Sequence, residues 1–76
     1  MKETLQAIIK GLVDDLDAVS ILEKEDGNSV IFEVRVASKD MGKIIGKNGK
    51  VARAIRTLMK ALGTKDDKKV LVEFVD

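Results

Sequence analysis

The 76-residue sequence contains no cysteine, histidine, tryptophan or tyrosine, and its only aromatic side chains are Phe32 and Phe74. Without cysteine there is neither a disulfide nor a thiolate metal site. With histidine missing as well, zinc chemistry and the common acid–base and nucleophilic constellations lose their usual parts. The adjacent carboxylates Asp14-Asp15 and Asp66-Asp67 sit at element ends, away from any recognisable substrate loop. The expectation is a protein that is not an enzyme and takes no cofactor, metal or small-molecule substrate. No apolar run approaches the ~20 residues a membrane-spanning helix needs. Met1-Lys2-Glu3-Thr4 leads straight into an amphipathic, acid-containing pattern, unlike a secretory leader. A cytoplasmic, membrane-free protein is therefore expected.

Apolar residues make up 45% and charged residues 36%, a globular composition. The length allows one domain, over 1–76, with no room for a second core. A chain this short buries only roughly 60% of the surface its unfolded form exposes, so pairing with another chain would add needed stability. The net charge of +1 hides an asymmetry. Residues 1–38 carry four basic and eight acidic side chains, for −4. Residues 39–60 set Lys39, Lys43, Lys47, Lys50, Arg53, Arg56 and Lys60 against Asp40 alone, for +6. A basic segment inside an otherwise acidic chain is a candidate polyanion site, although a solvated helix face has the same composition.

Leu5, Ile8, Ile9, Leu12, Val13 and Leu16 follow helical spacing and predict a helix over roughly 2–15. Val19 and Ile21 alternate in a first strand at 18–25, and Asp26-Gly27-Asn28 suits a hairpin turn. Val30, Phe32, Val34 and Val36 place one face of a second strand, 29–36, in the core. Ser38 is a candidate N-cap for a short helix at 39–45 ended by Gly46. Val51, Ile55, Leu58, Met59 and Leu62 form the buried stripe of a further helix, 50–62, ended by Gly63. A charged loop, 64–68, leads to a last strand at 69–75. The order is αββααβ. A strand–helical crossover–strand connection makes the last two strands parallel if they share a sheet, and the helical stripes require a two-layer α+β sandwich.

The informative segment runs from Gly42 to Ile55. Gly46-Lys47-Asn48-Gly49 places two glycines three apart between two short helices. Glycine permits backbone angles and close approaches that a Cβ blocks, and the N-terminus of the following helix favours an anion. Lys47 and Lys50 add mobile positive charge. The loop is not a phosphate-binding Walker A sequence, because Gly49-Lys50 is followed by Val51 and the position five before Gly49 is Ile44. It is not a dinucleotide fingerprint, since no two glycines are two apart. The helix-hairpin-helix of DNA-binding proteins is all-helical and spaces its glycines differently.

Ile44-Ile45-Gly46-Lys47-Asn48-Gly49, followed by Val51 and Ile55, resembles the KH-domain signature of an apolar pair, a GxxG loop and an apolar helix. The element order resembles the type II, prokaryotic arrangement, and the resemblance covers essentially the whole chain, as in small bacterial single-KH RNA-binding proteins. It implies a three-stranded sheet with three helices on one face, and a groove that takes about four nucleotides of single-stranded RNA. Gly46, Lys47, Asn48 and Gly49 carry over as the backbone clamp, and Ile44 and Ile45 as apolar groove or adjacent core. Lys43, Lys50 and Arg53 are candidate phosphate contacts beside the clamp, with Arg56 and Lys60 further along the same helix. An aliphatic groove of this kind needs no aromatic stacking platform, in keeping with the missing tryptophan and tyrosine. The resemblance also implies an RNA chaperone or post-transcriptional regulator, and a dimer, either with a copy of itself or with a larger KH-containing protein of the Jag type. The competing reading is a protein-interaction module with a vestigial loop. Lys47-Asn48 favours RNA, because an acidic loop would repel phosphate. The sequence departs from the family pattern at Leu16-Asp17, where a proline-containing turn is expected after the first helix.

Overall fold

The computed structural model describes residues 1–75. Its elements are α1 (Lys2–Leu12), a 3-10 turn (Leu16–Ala18), β1 (Ser20–Asp26), β2 (Ser29–Arg35), α2 (Ser38–Lys65) and β3 (Lys69–Val75). The architecture is α+β, with a mixed three-stranded sheet in the order β1-β2-β3. β1 and β2 pair antiparallel across the tight turn at Gly27-Asn28. β3 returns parallel to β2 after the long helical crossover of α2.

The register puts Val30 beside Val70, Phe32 beside Val72 and Val34 beside Phe74. Because strand side chains alternate, these residues share one face. α1 buries Leu5 and Ile9 in the same cluster, and α2 buries Met41, Ile44, Ala52, Ile55 and Met59 there. The opposite face stays open, with Leu22 and Leu71 about half exposed. β1 is the charged edge of the sheet: Glu23 and Glu25 lie beside Phe32 and Val30 in register yet remain exposed. Charge on an edge strand discourages pairing with another sheet. Lys24 reaches Glu33 on the neighbouring strand at 2.9 Å.

Several sequence expectations need correction. α1 stops at Leu12, and Val13 is already extended, at φ −103° and ψ 158°. Leu16 therefore leaves the helical phase and is 50% exposed, and Leu12 is also exposed. Ser38 is not a cap: it is the first residue of α2, and Ala37 holds the N-cap position without a side-chain hydrogen bond. Gly63 does not end α2, which continues to Lys65. Leu58 is exposed, since the core face of this part of α2 is Ala52, Ile55 and Met59. β1 begins two residues later than expected, at Ser20.

Candidate nucleic-acid interface

The span Ser38–Lys65 is broken in its middle. Gly46 has ψ 172°, and Lys47, Asn48 and Gly49 follow with φ of 56°, 62° and 72°. Three consecutive residues in the left-handed region cannot continue a right-handed helix, so α2 consists of a first arm, 38–45, and a second arm from residue 50. Glycine enters this region without strain and asparagine tolerates it, whereas Lys47 costs on the order of 1 kcal/mol. Gly46 is different. Its φ of −59° is open to any residue. A Cβ built on it would meet nothing within 4 Å. Nothing among the described residues therefore requires glycine there, and its position faces open space.

The candidate side chains gather on this break in two groups. Lys47, Asn48 and Lys50 are exposed at the loop. Arg53, one turn into the second arm, donates from Nη2 to the Asn48 carbonyl, tying the loop to the helix that follows it. Ile45 is 48% exposed directly before the loop, while Ile44 is fully buried. Of the apolar pair, one residue is thus core and the other is available to a ligand.

Lys43 is engaged elsewhere. Its ammonium donates to the Asp14 carboxylate at 2.5 Å and lies 3.5 Å from Asp40. The Asp14 hydrogen bond, reinforced by the charges of Asp14 and Asp40, raises its pKa above the ordinary lysine value. The Asp40 side chain is buried, and its two oxygens accept the Asp14 and Asp15 amides at 3.2 and 3.1 Å. The Asp15 amide, then the Asp14 amide and the Lys43 charge, hold that carboxyl below the ordinary range against the opposing effect of burial. The sequence reading missed Asp40. Its one available signal was its position as the lone acid among seven basic residues in 39–60.

A groove of about 300 Å³ runs beside the second arm. Arg53, Arg56, Thr57 and Lys60 form one wall, and residues 70–73 of β3 form the other. Arg56 crosses it: Nε donates to the Val72 carbonyl at 3.2 Å, and the guanidinium carbon lies 5.4 Å from the Phe74 ring centroid. Phe74 is therefore only partly core. β3 as a groove wall was not legible in the sequence, because the fold alone brings residues 16 positions apart together here.

The model of the "KhpA/KhpB, KH domain" family matches residues 2–74. A relative from Caldanaerobacter subterraneus subsp. tengcongensis, called RNA-binding protein KhpA, is 49% identical over 75 residues, covering 99% of this chain and all of that protein. Proteins of the same name from Clostridium acetobutylicum and Listeria monocytogenes are 48% and 42% identical, covering 99% and 100% of this chain and the whole of each relative. No solved structure matches. With an interrupted helix pair presenting a GxxG loop beside a mixed sheet, and with relatives aligned end to end, the chain belongs to the KhpA/KhpB family of KH domains.

Proposed function

We propose that this chain is a type II KH module that binds single-stranded RNA, with α1 and the two arms of α2 serving as the three helices of the αββααβ order. The observation that carries this reading is the break at 46–49. A glycine with no internal reason to be glycine adjoins three left-handed residues, and three cations, Lys47, Lys50 and Arg53, surround it. The sugar-phosphate backbone lies along Gly46–Gly49, where the main chain can be approached closely and the N-terminal dipole of the second arm favours phosphate. Lys47, Lys50 and Arg53 neutralise phosphates. Arg53 holds the loop and borders the groove. Ile45 offers an apolar contact to a base, while Ile44 supports it from the core. Lys43, balanced by two carboxylates, positions the first arm. The relatives' name, RNA-binding protein KhpA, agrees with this assignment. The role is binding without catalysis, as an RNA chaperone or regulator in the cytoplasm.

The test is the double substitution Lys47→Asp with Asn48→Asp. Aspartate tolerates left-handed backbone better than lysine does, so folding should be retained by circular dichroism. Two added negative charges and one lost positive charge where phosphates pass should abolish most binding to a mixed single-stranded RNA pool, irrespective of sequence. Wild-type affinity should fall with salt at a log–log slope of about −2, as three neutralised phosphates on a single strand give. A folded double variant that binds like wild type would replace this reading with the protein-interaction module.

The same proposal includes a dimer with a second KH chain, a copy or a larger partner. Half-exposed Leu12, Leu16 and Leu58 supply apolar surface that the monomer leaves in water. Sedimentation equilibrium at micromolar concentration should give a mass above 8.3 kDa, and a clean monomer, with or without a KH partner, would remove the dimer.

A further inference from the structure

The sequence holds two asparagines, and the fold treats them oppositely. Asn28 sits in the hairpin turn and is followed by Ser29. Its carbonyl accepts the Lys69 amide at 2.9 Å, and Ser29 is in register with Asp26 on one side and Lys69 on the other. The peptide between Asn28 and Ser29 is thus fixed from both neighbouring strands. Asn48 is exposed in the loop and is followed by Gly49. Among the described residues its carboxamide has no hydrogen-bond partner. A Cβ built on Gly49 would meet nothing within 4 Å, so the amide after Asn48 is unshielded as well.

An asparagine carboxamide is open to attack by the backbone nitrogen of the next residue. Here the Gly49 nitrogen would bond to Asn48 Cγ, the Cγ–Nδ2 bond would break, and ammonia would leave with the proton that the Gly49 nitrogen gives up. Water then opens the succinimide at either of its carbonyls. The product is an aspartate or isoaspartate carboxylate, and the proton it releases goes to the ammonia. Water is the sole co-reactant.

Such a ring closes only when the reacting atoms come together. At the Asn48 ψ of 29° the Gly49 nitrogen is nearly anti to the Asn48 Cβ, turned away from the side chain. The peptide must rotate first. One contact opposes that rotation: Arg53 Nη2 donates to the Asn48 carbonyl.

We infer that Asn48 is a gated self-modification site: when the RNA-free loop releases Arg53, the Asn48–Gly49 peptide turns and deamidates, and the resulting carboxylate closes the loop to RNA. The Arg53 contact and bound RNA both hold the unreactive geometry. Isoaspartate also inserts a methylene into the main chain, at a loop whose shape depends on three successive left-handed residues. The chemistry stands apart from the RNA-binding reading, and its consequence rests on that reading.

The experiment ages the purified protein in mildly alkaline buffer and follows the amide-to-acid conversion of both asparagines by peptide mapping with mass spectrometry. Asn48 should convert at least about tenfold faster than Asn28, since a loop opens more readily than paired strands. A mixed single-stranded RNA pool at about ten times its Kd should slow Asn48 about tenfold, because only the free form opens. Arg53→Met, checked for folding by circular dichroism and aged without RNA, should quicken Asn48 about two- to tenfold, the worth of one hydrogen bond. The acidic product, separated by ion exchange, should bind the pool at least about fivefold more weakly than fresh protein, the effect of a unit charge about 4 Å from a phosphate in water. Equal conversion of the two asparagines would overturn the inference. So would a folded Arg53→Met in which Asn48 converts no faster, or an acidic product that binds as tightly as fresh protein. Failure of fresh protein to bind the pool would instead bring down the RNA-binding reading, while the mapping would still decide the chemistry at Asn48.

Discussion

Asp40 shows how a single carboxylate can connect distant parts of a small fold. It lies in the first turn of α2, yet its oxygens accept amides of the segment that leaves α1. A helix C-terminus followed by acidic residues is poorly served by its own dipole, and the buried carboxylate gives the next two amides a charged acceptor. Lys43 then bridges Asp14 and Asp40, so the charges do not stand uncompensated. Asp40→Asn should lower the melting temperature by several degrees, because its amide group turns a donor toward one of two backbone donors. The pH dependence follows from linkage. The folded carboxyl is held below its unfolded value, so its contribution is complete above about pH 4 and disappears as pH falls through the depressed value. Wild type should therefore lose stability over that acid range more steeply than Asp40→Asn, as thermal melts from pH 6 to pH 2 would reveal. Parallel curves would deny Asp40 this role. Lys43 acts in the opposite direction: its raised pKa gives a contribution present through neutral pH and lost only as pH rises above the ordinary lysine value.

At the scale of elements, two glycines in helices make opposite demands. A Cβ on Gly63 would lie 2.8 Å from the Lys68 carbonyl oxygen and press into the Val70 side chain. The backbone cannot move far, because the Gly63 carbonyl also accepts the Asp66 and Lys68 amides at 2.9 and 2.8 Å. Overpacking costs about 1–3 kcal/mol, against the roughly 1 kcal/mol that alanine gains over glycine in a helix. Gly63→Ala should thus destabilise. Gly11, exposed in α1 with nothing within 4 Å of its Cβ position, feels only the propensity, and Gly11→Ala should stabilise by about 0.5–1 kcal/mol. Urea titrations of both variants test the pair; a loss at Gly11 or a gain at Gly63 would contradict the packing argument.

The same glycine explains part of what was legible beforehand. β2 and β3 announce themselves by strict alternation, and β3 runs over 69–75 as the pattern indicates. The loop 46–49 is legible because its two glycines stand three apart and Asn48 and Gly49 suit the left-handed backbone they adopt. Gly63 reads as a stop signal but is there for a tertiary approach to β3, so α2 continues past it. Just past the end of α1 the Asp15 amide is taken by Asp40, 25 residues further along, and the stripe alone extends the helix too far. In the site, the loop cations could be read from sequence, whereas the groove wall could not. Arg56 and Val72 meet only once the crossover has folded.

At the scale of the molecule, β1 and β3 are the two edges of one sheet, separated by about 10 Å. Beside β3 stand Arg53, Arg56 and Lys60 of the groove, and along β1 stand Glu23, Glu25 and Asp26. With Lys24 alone offsetting the acids of β1 and Glu73 alone among the groove cations, a chain with a net charge of only +1 would act as an electric needle. In the field of a polyanion it experiences a torque before contact, turning the basic edge inward and the acidic edge away. If the groove takes RNA as proposed, encounters would begin with it facing the strand, which shortens the rotational search and raises the association rate more than the final affinity. The charges of β1, which touch no ligand, would act as the tail that keeps the head pointed forward.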